Sequence, residues 1–124
     1  MDKEWRTVEN TNGNYIVSNY GEVYSMRAKR VMSPEVDKDG YLRVVLNTKD
    51  GARHEFVHRL VAKAFLPNYG NKEQVNHKDL HRDNNCVLNL EWVTAQENTD
   101  HKMLNIRGAD DERKAQLWLE RVNG

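Results

Sequence analysis

From Trp5 to about Val57 the apolar residues alternate with polar ones over a few positions and then stop at Asn or Gly. A period of two is the mark of half-buried strands, and the breaks between runs are hairpin turns. Asn12-Gly13, Asn19-Tyr20-Gly21, Asp39-Gly40 and Asp50-Gly51 supply residues that accept positive φ or bond to their own backbone, as tight turns require. The pattern predicts strands at Tyr15–Val17, Glu22–Ser25, Tyr41–Leu46 and Arg53–Val57.

The period then changes. Phe56, Val57, Leu60, Val61, Ala64 and Phe65 recur at helical spacing and predict a short helix with one apolar stripe, ended by Pro67. Beyond Asn68-Tyr69-Gly70 the chain predicts an extended piece over Gln74–His77, a polar loop from Lys78 to Asn89, and a second extended piece over Leu90–Val93. Thr94 is placed to cap a following helix, with Glu97 three residues on to complete a capping box. That helix carries Asn98 and His101 and stops before Gly108. A last helix over Asp110–Val122 starts with acids that suit its dipole and gathers Ala115, Trp118, Leu119 and Val122 on one face. The expected class is α+β: a β-hairpin-rich module over 1–50, a strand–loop–strand–helix core over 51–106, and an amphipathic C-terminal helix over 107–124.

Length and composition narrow the setting. A chain of 124 residues suits one compact domain, and 38% hydrophobic residues with only two prolines is enough apolar content to fold. Cys86 stands alone, which excludes an internal disulfide and a Cys-x-x-Cys zinc pair and fits a reducing, cytoplasmic setting. The charged start, Met1-Asp2-Lys3-Glu4, is unlike a secretory signal, and no apolar run is long enough for a bilayer, so a soluble protein away from membranes is expected. Lys plus Arg and Asp plus Glu both total 19, so global charge does not point to nucleic acid. Basic groups are local: Arg27-Ala28-Lys29-Arg30, and a looser set of Arg53, His54, His58, Arg59 and Lys63.

The chemistry concentrates in Val75-Asn76-His77-Lys78-Asp79, Asn84-Asn85, Asn89-Leu90-Glu91-Trp92-Val93-Thr94 and Glu97-Asn98. A hairpin followed by a helix can bring His77, at a strand end, and Asn98, on the helix, to one small space. Phosphodiester hydrolysis needs a base for water, an electrophile for the phosphorane, and stabilisation of the departing 3′ oxygen. Imidazole, with an ordinary pKa of ~6.5, suits the first role. A hard ion such as Mg²⁺ suits the others, because it takes few protein ligands and completes its shell with water and phosphate oxygens.

These residues resemble the HNH endonucleases, in particular the phage and intron-encoded homing branch. By that resemblance His77 is the general base, Asn89 bonds across the loop to hold the histidine-bearing strand, and Asn76 and Asn98 are metal ligands. Trp5 with Tyr15-Ile16-Val17-Ser18-Asn19-Tyr20-Gly21-Glu22-Val23-Tyr24-Ser25 is similar to the small module found ahead of such nuclease domains. Asp39-Gly40-Tyr41 and Val57-His58-Arg59-Leu60-Val61-Ala62 are similar to the connecting segment. The resemblance implies a ββα-metal (His-Me finger) core, one Mg²⁺ or Mn²⁺ ion per site, and double-stranded DNA as substrate. Arg27, Lys29, Arg30 and Arg43 would then follow the DNA backbone or a groove, with His58, Arg59 and His101 as candidate contacts to phosphate or metal. Because Asn76 and Asn98 are both neutral, tight metal binding is expected to require the charge of DNA phosphate.

Two other functions fit the same letters. The fold could serve as a catalytically silent DNA-binding or regulatory module, or the nuclease could be brought to a protein partner, or to a second copy of itself, through the C-terminal helix.

Overall fold

The computed structural model describes residues 1–106; the helix expected over Asp110–Val122 lies outside the described residues. A four-stranded antiparallel sheet comes first, built from β1 (Trp5–Thr7), β2 (Tyr15–Ser18), β3 (Val23–Ser25) and β4 (Arg30–Val31) in that spatial order. A three-stranded sheet follows, β5 (Glu35–Val36), β6 (Leu42–Thr48) and β7 (Gly51–Phe56), which runs directly into helix α1 (Val57–Phe65). The last unit is the antiparallel pair β8 (Gln74–His77) and β9 (Leu90–Val93), then helix α2 (Ala95–Ile106). The class is α+β, as the hydrophobic periods predict.

Turn chemistry sets the hairpins. Asn12 and Gly13 both have positive φ, 58° and 77°, and Asn14 N–H closes the turn on the Thr11 carbonyl at 3.0 Å. The next two turns repeat one device. Ser18 Oγ accepts from the amides of Tyr20 and Glu22 at 3.2 and 3.1 Å, while Gly21, at φ +91°, donates its N–H to Ser18 O. Asp37 Oδ1 accepts from Asp39 and Tyr41 at 2.9 Å each, with Gly40 at φ +89° donating to Asp37 O. In both, a short polar side chain caps its own loop and glycine takes the left-handed position. Tyr41 is therefore a turn residue, and β6 begins one position later than alternation suggests. Asp50-Gly51 is shifted too: Thr48 pairs with Gly51, so Lys49 and Asp50 form the bend and Gly51 already belongs to β7.

One apolar core joins these units. Val8, just past β1, and Tyr15, Val17 and Val23 of the first sheet pack with Val44 and Leu46 of β6, Val57, Leu60 and Val61 of α1, and Val75 and Leu90 of the β8–β9 pair. The β6–β7 hairpin crosses position 50, and Asn47 N–H donates to Tyr15 Oη at 2.9 Å, tying the second sheet to the first. α1 stops at Leu66, which is extended before Pro67 as its pyrrolidine ring demands. Trp92 packs against the core and donates its indole N–H to Leu66 O at 3.0 Å, fixing β9 against the end of α1. The start of α2 is a reciprocal capping box: Glu97 N–H donates to Thr94 Oγ1 at 3.2 Å and Thr94 N–H donates to Glu97 Oε1 at 3.3 Å.

Candidate active site

β8 is the element around which the site is built. Its register pairs Asn76 with Glu91 and His77 with Leu90, and Val75, Asn76 and His77 are all buried, so the strand is covered on both faces. Gln74 and Asn76 share one face of the strand by alternation, and Asn98 and His101 share one face of α2 by their three-residue spacing. The two faces meet: Asn98 Nδ2 donates to Gln74 Oε1 at 2.9 Å, and Asn76 Nδ2 lies 2.7 Å from His101 Nδ1. Asn76 Nδ2 also donates to Glu91 Oε1 at 2.9 Å.

Neither bond of Asn76 uses its Oδ1, and Asn98 Oδ1 is buried with no hydrogen-bond partner among the described residues. A buried carbonyl oxygen without a donor is costly unless something positive meets it. The donor set fits a hard divalent cation, and it is neutral. Among the described residues no cluster of three His, Cys, Asp or Glu could hold an ion instead.

His77, on the other face of the strand end, has a different environment. Its Nε2 is 2.8 Å from Asn85 Oδ1, and an amide oxygen can only accept, so Nε2 carries the proton and Nδ1 keeps its lone pair. The ring lies among aromatic neighbours, with centroids 4.9 Å from His58 and 5.9 Å from Tyr41. Burial holds the His77 pKa below the usual imidazole value, against upward pulls from the Asn85 bond and the Asp79 charge. The neutral form is therefore the resting one.

Asn89 secures the loop rather than the ring. Its Nδ2 donates to Asp79 Oδ1 and to Asn84 O, both at 2.9 Å, its Oδ1 accepts from Asp79 N–H at 3.1 Å, and its carbonyl accepts from Lys78 N–H at 2.8 Å. Asp79 also accepts from His81 N–H and Asn84 Nδ2. Burial would raise its pKa, but those hydrogen bonds outweigh it and keep the carboxyl ionised.

The remaining candidates fall in separate places. His58 is buried between Tyr41, Phe56 and His77, Arg59 donates to Glu73 O at 3.2 Å, and His101 is buried against Asn76 with its pKa lowered by burial. Arg27 and Lys29 sit exposed on the β3–β4 turn and Arg30 on β4, whereas Arg43 lies on β6, in the other sheet, 3.7 Å from Glu35. Three participants, Asn85, Glu91 and Tyr41, lie in the stretches that the sequence singles out but receive no site role from it. Glu91 was reachable through the β8–β9 register opposite Asn76, and burial raises its pKa against the Asn76 bond. Asn85 and Tyr41 carry no local signal, since both look like turn residues.

Residues 4–47 match the NUMOD4 motif and residues 55–100 match the HNH endonuclease family. The chain is similar to DNA endonuclease I-HmuI of Bacillus phage SP01, 42% identical over 114 residues, which covers 91% of this chain and 64% of that protein. It is also similar to an uncharacterized HNH endonuclease, L245, of Acanthamoeba polyphaga mimivirus, 40% identical over 90 residues, covering 73% of this chain and 27% of that one. The chain thus spans less than two thirds of the length of either relative. A solved structure described as DNA binding and cleavage by the HNH homing endonuclease I-HmuI superposes with a TM-score of 0.77 at 39% identity, over 92% of this chain and 64% of that one.

The buried His58 gives a stability test. Burial first, then the charges of His77 and Arg59, hold its pKa down to about 3, against an upward pull from Asp37. With a folded pKa below the unfolded one, its contribution is full above the ordinary imidazole value and is lost as pH falls toward about 3, at up to about 1.4 kcal/mol per pH unit. His58→Phe keeps a ring in the cluster and removes the titration. Urea unfolding between about pH 7 and about pH 4 should show a slope shallower by one proton in the variant; identical slopes would contradict the assignment.

Proposed function

We propose that this chain, which belongs to the HNH endonuclease family and carries a NUMOD4 motif ahead of its HNH segment, hydrolyses DNA phosphodiester bonds with His77 as general base and one divalent ion. The observation that carries the proposal is twofold: an imidazole at the end of β8 held through Nε2, and on α2, packed on the same strand, the buried Asn98 amide oxygen with no donor among the described residues. His77 Nδ1 takes a proton from the water that attacks phosphorus. The imidazolium so formed is stabilised by Asn85 Oδ1 and the nearby Asp79 carboxylate, both of which favour the protonated ring. Asn89 keeps the loop in register with β8 through Lys78 and Asp79. Asn76 Oδ1 and Asn98 Oδ1 would hold the ion, Mg²⁺ or Mn²⁺. When bound, that ion supplies positive charge to the phosphorane and the departing 3′ oxygen.

The division of labour we infer places DNA contacts on the module over 1–50, through Arg27, Lys29, Arg30 and Arg43, and cleavage on the core over 51–106. Phosphate contacts of this kind orient an enzyme without reading base sequence. Duplex DNA is the substrate, and the host-cell cytoplasm is the setting if the chain is phage-encoded. No helix among the described residues is long and apolar enough to cross a membrane.

Removing the base is the direct test. His77→Ala should cut plasmid cleavage by about a hundredfold or more while leaving DNA affinity intact; undiminished cleavage would refute the mechanism. The neutral ligand set yields a second expectation. Calorimetric titration of the DNA-free protein with Mg²⁺ should show only weak binding, and micromolar affinity would contradict ligation by Asn76 and Asn98 alone.

A further inference from the structure

We propose that the Asn19–Gly21 turn of the first sheet is a positioning element for the general base: the turn holds Asn85, and Asn85 holds His77. The proposal rests on His77 being that base, and it assigns the N-terminal module a part in rate as well as in DNA contact.

Between Lys78 and Asn89 regular structure is confined to a single 3-10 turn starting at Val87, so the loop needs outside supports to fix a side chain. Asn85 is buried in it. Gly21 supports it by contact, since a Cβ on Gly21 would sit 2.9 Å from Asn85 Cβ and 3.0 and 3.1 Å from its carbonyl oxygen and carbon. Those are main-chain and Cβ atoms that cannot swing aside. Val87 N–H donates to Asn19 O at 2.8 Å, pinning the loop two residues further on. The turn is itself anchored, because Asn19 Oδ1 accepts from Glu4 N–H and Asn19 Nδ2 donates to Asp2 O, both at 2.9 Å. The second glycine turn reaches the same loop: Arg82 stacks over Tyr41 at 4.7 Å and donates to Asp39 O. Two turns in the segment matching NUMOD4 thus form the bed for the loop that orients His77. A module that only gripped DNA would need neither contact.

Gly13 provides the control. Its φ of +77° makes any side chain as strained there as at Gly21, yet a Cβ on it meets nothing within 4 Å. The experiment compares Gly21→Ala with Gly13→Ala in the full chain, reading nicking of supercoiled plasmid, affinity for linear plasmid DNA, and the side-chain ¹⁵N spectrum of His77. Gly21→Ala should slow nicking on the order of ten- to a hundredfold with affinity changed less than about twofold, and should replace the Nε2–H tautomer by a mixture. Gly13→Ala should match the parent in all three. Asn19→Ala removes the anchors of the turn without adding an atom and should give a smaller change of the same kind. Equal behaviour of Gly21→Ala and Gly13→Ala would overturn the proposal. If Gly21→Ala fails to fold, an unchanged His77 spectrum and nicking rate in Asn19→Ala would overturn it. A parent chain that cuts no DNA would sink the nuclease assignment, while the His77 spectra would still decide the positioning.

Discussion

The hydrogen bond from His77 Nε2 to Asn85 Oδ1 is the interaction on which the rest of the site depends. It is buried, so the ring cannot exchange it for a bond to bulk water without breaking the packing around Tyr41 and His58. It selects the tautomer, sets the ring plane, and leaves Nδ1 basic. Asn89 fixes the loop to β8, Asp79 gathers the amides of Asn84, His81 and Asn89, and Gly21 closes against Asn85 from the first sheet. The first sheet and the β8–β9 pair share one core, so the Gly21 turn and the strand that carries His77 are fixed relative to one another.

Charge is placed one step away from where a metal ion would sit. Asn76 and Asn98 offer neutral oxygens, while the nearby carboxylate, Glu91, is engaged with the Asn76 amide. That bond turns Asn76 Nδ2 toward Glu91 and His101, and the bond to Gln74 uses Asn98 Nδ2 and leaves Asn98 Oδ1 without a donor among the described residues. A neutral cradle holds an ion weakly, and DNA phosphate would add the missing negative charge. Under the proposed ligation, metal occupancy would be coupled to substrate, and the site would stay quiet away from DNA.

Much of this was legible in the residues. Alternation located β2, β3, β6 and β7, because half-buried strands impose it, and the Thr94–Glu97 box predicted both hydrogen bonds that start α2. β1, β4 and β5 are short and wholly exposed, so no hydrophobic period marks them. The family pattern singled out Asn76, His77, Asn89 and Asn98 but was silent on what orients the imidazole. Asn84-Asn85 reads as a turn, and only the fold distinguishes the second Asn from the first, by its burial, its bond to His77 and the packing of Gly21 against it. Likewise Arg43 looked like a companion of Arg27, Lys29 and Arg30, while topology puts it in a different sheet beside Glu35.

Hydrolysis at a metal-assisted site with loss of the 3′ oxygen leaves its signature in the chemistry of the cut ends. Supercoiled plasmid incubated with the protein and Mg²⁺, with the ends mapped, should yield nicks bearing 5′-phosphate and 3′-hydroxyl, and none when a chelator replaces the metal. Ends bearing 3′-phosphate, or nicking that persists in chelator, would contradict metal-assisted hydrolysis at this site.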